Sequence, residues 1–250
     1  MAGIAALLAL CALVRSDALP HVGAGRMERL PRLTLWAWER PEDLRSVDPA
    51  TTAVAYLDRT VLVGDGVTVP ALRVLPRRQR LLTAENMKRI AVVRIEVQPG
   101  LGLTDAMRVV VVRQILEAVQ PETAALQVDF DARRSEREWY RQVLVDLRGK
   151  MPAKMPLSIT ALGSWCSHDR WMQGLPVDEA VPMLFRMEPD HVKAAGDVDA
   201  FAIREPLCST SVGVSTEEPW PAELAGRRVY VFPDHGWSQD TLGQVERRVQ

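Results

Sequence analysis

The chain has 250 residues, 47% of them hydrophobic and 25% charged, close to the averages for globular proteins, so disorder and low-complexity architecture are excluded. Lysine plus arginine number 31 and aspartate plus glutamate 32, a formal net charge of -1. No block of like charge forms a basic arm, and nucleic acid is not an expected partner.

At this length one core can fill without metal or disulfide support, and a single domain is the default. Ile4 to Val14 (IAALLALCALV) is an unbroken apolar run. It has the length of a signal-peptide core and falls short of the roughly 20 residues of a membrane-spanning helix. Residues 1–24 are expected to be a signal peptide or N-terminal hydrophobic anchor, and residues 25–250 the folded domain. This predicts a periplasmic or secreted protein. Cys11 raises a membrane-anchored alternative, although Leu10 stands where a lipid-attachment site needs a small residue. Any membrane attachment is expected through this segment alone, and an uncleaved terminal helix is the plainer alternative.

Eight short apolar, β-branched runs follow: Leu33–Glu39, Ala53–Val63, Ile90–Val97, Ala125–Asp131, Leu157–Gly163, Val181–Met187, Ser209–Ser215 and Arg228–Phe232. Several are apolar throughout, as strands covered on both faces are. Val67–Val74 reads as a hairpin return after Gly64-Asp65-Gly66. Helical patterns occupy Thr104–Gln120, Ser135–Lys150 with Ser135 as N-cap, a stretch after Pro189 and one after Ser238. Strand followed by helix, repeated, predicts parallel strands and an α/β fold, a small and partly degenerate (β/α)8 TIM-like barrel. The dinucleotide fingerprint of a doubly wound sheet is absent, and a mixed α/β sandwich is the alternative.

In such a barrel the chemistry gathers where strands end. Strand ends here carry Trp36, Trp38 and Glu39; Arg94 and Glu96; Asp129 and Asp131; Ser164, Trp165 and Cys166; Glu217, Glu218 and Trp220; and Asp234, His235 and Trp237. The chain holds 7 Trp against 4 Phe and 3 Tyr. With Trp171, all but Trp139 fall on strand ends or the loops after them, where an indole face suits stacking on a sugar ring. Plugging the barrel mouth is the plainer use of the same side chains.

Strand periodicity sends Gln127, Asp129 and Asp131 to one side, and the barrel interior is the side that can take them. Two carboxylates near a barrel mouth repel and lose hydration, which raises at least one pKa unless Arg94, Arg133 or Arg134 compensates. A raised carboxyl is what a general acid near neutral pH requires. Asp131 is thus the expected acid, Glu217 or Glu218 the second carboxylate across the barrel, and Glu96 the reserve. Asp129 and Arg94 tune the pair. Trp36, Trp38, Trp165, Trp220 and Trp237 are the expected sugar platforms, with Glu39 and Arg186 as further binding residues. An Arg–carboxylate network of Arg94, Glu96 and Asp129 that merely holds the mouth together is the competing reading.

WAWERPEDL, VVRIE, LQVDFDARRSEREWY, LSITALGSWC, LPVDEAVPMLFRM, GVSTEEPW and RRVYVFPDHGW together resemble the bacterial family labelled domain of unknown function 3142, over roughly residues 33–238. That resemblance implies a barrel and no established activity. A weaker resemblance is to chitinase-like glycoside hydrolases, whose fourth strand carries alternating aspartates and a catalytic glutamate two residues beyond. Asp129 and Asp131 match, but Arg133 stands at the glutamate's place, leaving Glu136 or an acid from the seventh strand to fill it.

No metal or organic cofactor is expected, since His21, His168, His191 and His235 share no ligand spacing and no Cys-x-x-Cys occurs. Ser164 lacks the glycine-flanked elbow of a serine hydrolase. Cys166 and Cys208 are expected on opposite rims as free thiols. Asp178, Glu179 or a carboxylate from the fourth or seventh strand is expected to answer the charge of Arg186. The function that follows is a glycoside hydrolase acting on polysaccharide at the carboxyl-end face. The alternative is a non-catalytic glycan-binding or envelope-assembly protein.

Overall fold

The structure, a computed structural model, describes residues 24–64, 71–185, 203–221, 224 and 226–249. The apolar run Ile4–Val14, Arg186 and the start of the helical stretch after Pro189 lie outside the described residues.

The strands are β1 (Leu33–Ala37), β2 (Glu42–Leu44), β3 (Thr52–Gly64), β4 (Ala71–Pro76), β5 (Leu81–Thr83), β6 (Lys88–Val97), β7 (Thr123–Asp129), β8 (Leu157–Leu162), β9 (Glu179–Met183), β10 (Ser211–Ser215) and β11 (Arg228–Phe232). Eight of them pair in parallel in the order β1, β3, β6, β7, β8, β9, β10, β11, and β11 returns to β1. The ring is closed, so the α/β barrel is the fold and the sandwich is not. Each of the eight apolar runs supplies one strand of the ring.

The expected degeneracy lies between the second and third ring strands. There β4 runs back antiparallel along β3 in place of a helix, and β5 joins β2 in a separate two-stranded sheet. Elsewhere helices cover the ring: α1 (Ala24–Met27), α2 (Asp105–Leu116), α3 (Arg137–Lys150), α4 (Gly163–Ser167) and α5 (Gln239–Val249). Thr104 caps α2 by accepting from the Met107 amide at 3.2 Å. Ser135 does not cap α3. It lies inside a single 3-10 turn, Arg134–Glu136, and the Glu136 carboxylate takes the Arg133 amide at 2.7 Å instead.

Alternation sorts the side chains into layers. Outward residues of β6 to β9, such as Val93, Leu126, Val128, Ile159 and Ala180, bury against Val111, Ile115, Tyr140, Leu144 and Leu147 of α2 and α3. Outward Leu35, Val212, Val214, Val229 and Val231 bury under Leu242 and Val245 of α5. Inside the ring, Trp36, Ala55, Leu57, Ile90, Val92, Ala125, Val181, Tyr230 and Phe232 meet Met27 and Leu30, which close its amino end. Gly213 is needed here, because a Cβ at this position would lie 3.0 Å from the Phe232 ring and 3.2 Å from the Pro182 carbonyl oxygen.

Polar groups cross the same interior. Gln127 donates to the Ser158 hydroxyl at 2.9 Å, and Glu179 accepts from Ser158 at 3.3 Å and from Tyr230 at 2.5 Å. Arg228 ion-pairs with Glu179 at 3.5 Å and donates to the Met27 carbonyl. Beside it Asp178, 1% exposed, receives Arg26, Arg148 and the Leu157 amide, each at 2.7 Å. Asp178 and Glu179, two of the acids expected to answer Arg186, therefore have other partners, and Arg186 itself lies outside the described residues.

β3 and β6 outrun the ring. β1 pairs with β3 only as far as Tyr56, and β7 with β6 only as far as Arg94, yet β3 and β6 stay paired to Val63 and Val97. Leu57 faces Val92 and Arg59 faces Val93, so Asp58 is one extra residue, a β-bulge. Beyond it Arg59 points outward to α2, meeting Glu117 at 3.2 Å, and Thr60 and Leu62 share the inner face with Arg94 and Glu96.

Cys166 and Cys208 form a disulfide, with Cα atoms 5.8 Å apart. The expectation of free thiols on opposite rims fails because neither cysteine stays on a rim. Cys166 belongs to α4, which turns back over the outside of the ring after β8, and Cys208 ends a 3-10 turn, Pro206–Cys208, that precedes β10. Both elements pack on the outer side of β9. The amides of Arg204 and Glu205 bond to the Cys166 carbonyl at 2.8 and 3.1 Å, holding the two segments side by side.

Candidate functional site

At the carboxyl end of the ring, β6 and β7 present one cluster. Arg94 donates from Nε to Glu96 at 2.9 Å and from Nη1 to Asp129 at 3.0 Å. The other oxygen of Asp129 accepts from Thr160 of β8 at 2.8 Å. Asp129 is buried with both oxygens occupied, which suits it to orient neighbours rather than to pass a proton. The Arg–carboxylate network is thus a physical feature of the mouth.

Asp131 lies two residues past Asp129, beyond the end of β7, because a tight turn between the Ala132 amide and the Phe130 carbonyl (2.9 Å) ends the strand. Its side chain reaches solvent. The protein mass around it still strips part of its hydration, and this together with the negative charge of Asp129 raises its carboxyl pKa, against the pull of Arg94. Tyr140 of α3 stands behind the pair. Its buried hydroxyl has no hydrogen-bond partner among the described residues, and burial, with Asp129 and Asp131 adding to it, pushes it well above the usual phenol range.

The opposite side of the mouth is aromatic. Trp36 is fully buried, stacked on Phe232 at 4.5 Å and tilted against Trp38 at 5.3 Å, while Phe185 packs on Phe232 at 4.8 Å. Trp38 is only half-buried. The Trp36 indole N–H is buried without a hydrogen-bond partner among the described residues.

The other tryptophans are used differently. Trp165 is 1% exposed in the outer layer, edge-on to Trp171 at 4.8 Å, with the Arg137 guanidinium 5.8 Å from its ring centre. Trp220 donates to the Ser215 carbonyl at 2.7 Å and lies under Arg248; Trp237 donates to the Trp36 carbonyl at 2.9 Å. Both pack on the apolar cluster beneath α5. The faces of Trp165 are spent on protein, whereas Trp220 and Trp237 brace strand ends through their indole N–H groups and stay half-buried, as Trp38 does.

Glu39 accepts the amides of Arg78 and Gln79 at 2.7 and 3.0 Å and shapes a turn. Glu217 is exposed just past β10 and accepts from the Thr216 hydroxyl at 3.4 Å, and Glu218 beside it is half-buried. Glu136, the substitute for the absent chitinase glutamate, is buried and bound through both oxygens to Arg133. The structure therefore brings together Arg94, Glu96, Asp129 and Asp131, sets Trp36 and Trp38 on another strand of the same end, and disperses Trp165, Trp220, Trp237 and Glu39 into supporting roles.

Sequence reasoning named Glu179 only as a partner for Arg186 and missed the partners it has inside the ring, Tyr230 and Arg228. The signal was present in Arg228-x-Tyr230-x-Phe232, whose period of two places all three inside a closed ring. Among the described residues no group of His, Cys, Asp and Glu is arranged to hold a metal ion, and no helix is long and apolar enough to cross a membrane. No family model, curated protein or solved structure matches the chain.

Proposed function

We propose that the carboxyl-end mouth takes a saccharide and that the protein is a glycoside hydrolase with Asp131 as its proton donor. The observation that carries this reading is the position of Asp131, at the open carboxyl end of the ring just past β7, where lost hydration and the charge of Asp129 push its carboxyl up. It is accessible to solvent and stands beside an Asp129 whose oxygens are already engaged. In this scheme Asp131 protonates the departing glycosidic oxygen, and Glu217 or Glu218 acts from the other side. That second carboxylate either deprotonates the attacking water or bonds to the anomeric carbon, the alternatives that go with wide and narrow carboxylate spacing. Trp38 offers its ring to the sugar's C–H face.

The Cys166–Cys208 bond supports export to an oxidising compartment, in keeping with the apolar run near the amino end. Kinship with the domain of unknown function 3142 family belongs to the same proposal and assigns no residue role. A non-catalytic glycan-binding protein is the second reading. The hold of Arg94 on Glu96 and Asp129 and the use of Glu136 as a cap favour it.

Reducing-end release across a polysaccharide panel, run beside a glycan array, tests both. For the enzyme, Asp131→Asn should cost about 10²–10⁴ in turnover with binding retained, the usual contribution of a positioned acid. Wild-type activity should fall as pH rises through the raised Asp131 value, because the donor must be protonated. Binding with no turnover, identical in wild type and Asp131→Asn, selects the second reading. Neither binding nor turnover removes the saccharide from both.

A further inference from the structure

The part of β3 and β6 that outruns the ring, with β4 added at its edge, stands as a three-stranded wall over the mouth. Register places its inner face in rows. Leu75, Thr60, Arg94 and Asp129 are successive partners across β4, β3, β6 and β7, and Arg73, Leu62 and Glu96 form the next row out. Strands lie about 4.8 Å apart, so Arg73 and Glu96 flank Leu62 from roughly 10 Å apart. A cavity of about 410 Å³ opens at this end of the wall, lined by Leu62, Arg73, Glu96, Gln98 and their neighbours. Arg73 has no ion-pair partner among the described residues, and Glu96 is half exposed even while it holds Arg94.

We infer that this wall is a second saccharide subsite, outside the mouth, for one further uncharged glycosyl unit of a longer chain. The inference rests on the saccharide reading of the mouth. The chemistry is that of an amphipathic ring: an aliphatic floor at Leu62 for the C–H face, a guanidinium fork on one side to donate to hydroxyls and a carboxylate on the other to accept from them. The flanking charges are of opposite sign and cancel, so a neutral sugar is favoured over a uronate or an amino sugar.

The test is calorimetric binding of dimer-to-hexamer ladders of neutral cello- and acetylated chito-oligosaccharides, with an oligogalacturonate ladder for comparison, to the full chain and to Arg73→Ala. Arg73 is exposed, so an unchanged melting temperature verifies that the variant folds. The expected result is that wild type gains affinity from dimer to hexamer on a neutral ladder. Arg73→Ala should lose about tenfold on the hexamer, the size of one hydrogen bond from a charged donor, and nothing on the dimer. Equal hexamer affinity in both proteins overturns the subsite and leaves the mouth reading standing. Tighter binding of the galacturonate ladder overturns the neutral class. Failure of every ladder to bind wild type overturns the subsite together with the saccharide reading.

Discussion

Breaking the bond between Cys166 and Cys208 is the perturbation whose size follows most directly from the fold. The two cysteines are separated by 42 residues, a loop that contains β9 and the approach to β10. In the chain-entropy description, closing a loop of that length removes about 13 cal/mol/K from the unfolded ensemble, or about 4 kcal/mol at 25 °C. In a domain of this size each kcal/mol moves the melting temperature by about 2–4 °C, so reduction should lower it by roughly 8–16 °C. Cys166→Ala combined with Cys208→Ala should behave like the reduced protein, apart from the small cavity left where both sulfurs are buried. Thermal denaturation with and without reductant measures the shift. Thiol titration in urea supplies an independent count, because the full chain has 3 Cys: Cys11 alone should react before reduction and all three after it, whereas a chain from which residues 1–24 have been removed should show none before reduction and two after it. Three reactive thiols in protein kept oxidised, or a melting temperature indifferent to reductant, would refute the argument.

The remaining expectations use the interior and the mouth. Asp178→Asn leaves Arg26 and Arg148 facing an uncharged amide and should cost about 3–5 kcal/mol in urea unfolding, the usual penalty for breaking a buried pair from one side. Glu179 is raised above its ordinary 4.5 by burial, with Arg228, Tyr230 and Ser158 opposing. Its contribution to stability is therefore complete below pH 4.5 and is lost as pH climbs through the folded value. Glu179→Gln should flatten that part of the stability–pH curve, and parallel curves for the two proteins would contradict the assignment. Trp165→Ala should destabilise by about 3–5 kcal/mol without changing sugar binding, whereas Trp38→Ala should weaken binding with little loss of stability. The reverse pattern in paired melting and array measurements would remove Trp38 from the site.

The ring was legible because each of its strands carries an uninterrupted or alternating apolar stretch that no other local structure accommodates. Strand limits were less so. β9 begins at Glu179, two residues before its apolar run, because a charged side chain can occupy a strand start once Tyr230 and Arg228 face it from across the barrel. Such partners are distant in sequence. Asp129, Glu96 and Arg94 were found as a group because period two sends them to one face. Whether a tryptophan at a strand end turns inward like Trp36 or outward like Trp220 depends on what α5 covers, and local pattern does not encode that. The disulfide was misjudged for a similar reason, since short connections were assumed to remain on the rims while α4 and the turn before β10 both fold down over β9.

The single surplus residue at Asp58 has a consequence for how this chain can drift. Removing Asp58 would leave an unbroken ladder in which Arg59 still faces Val93 and Thr60 still faces Arg94, so both faces of the stretch would be kept. What would be lost is local to the bulge: the ion pair of Asp58 with Arg59 and the bond from the Arg77 amide to the Asp58 carbonyl. The bulge is therefore the place where this strand can lose one residue without turning its side chains over, so deletion of Asp58 should do less harm than exchange of an inward for an outward side chain further along.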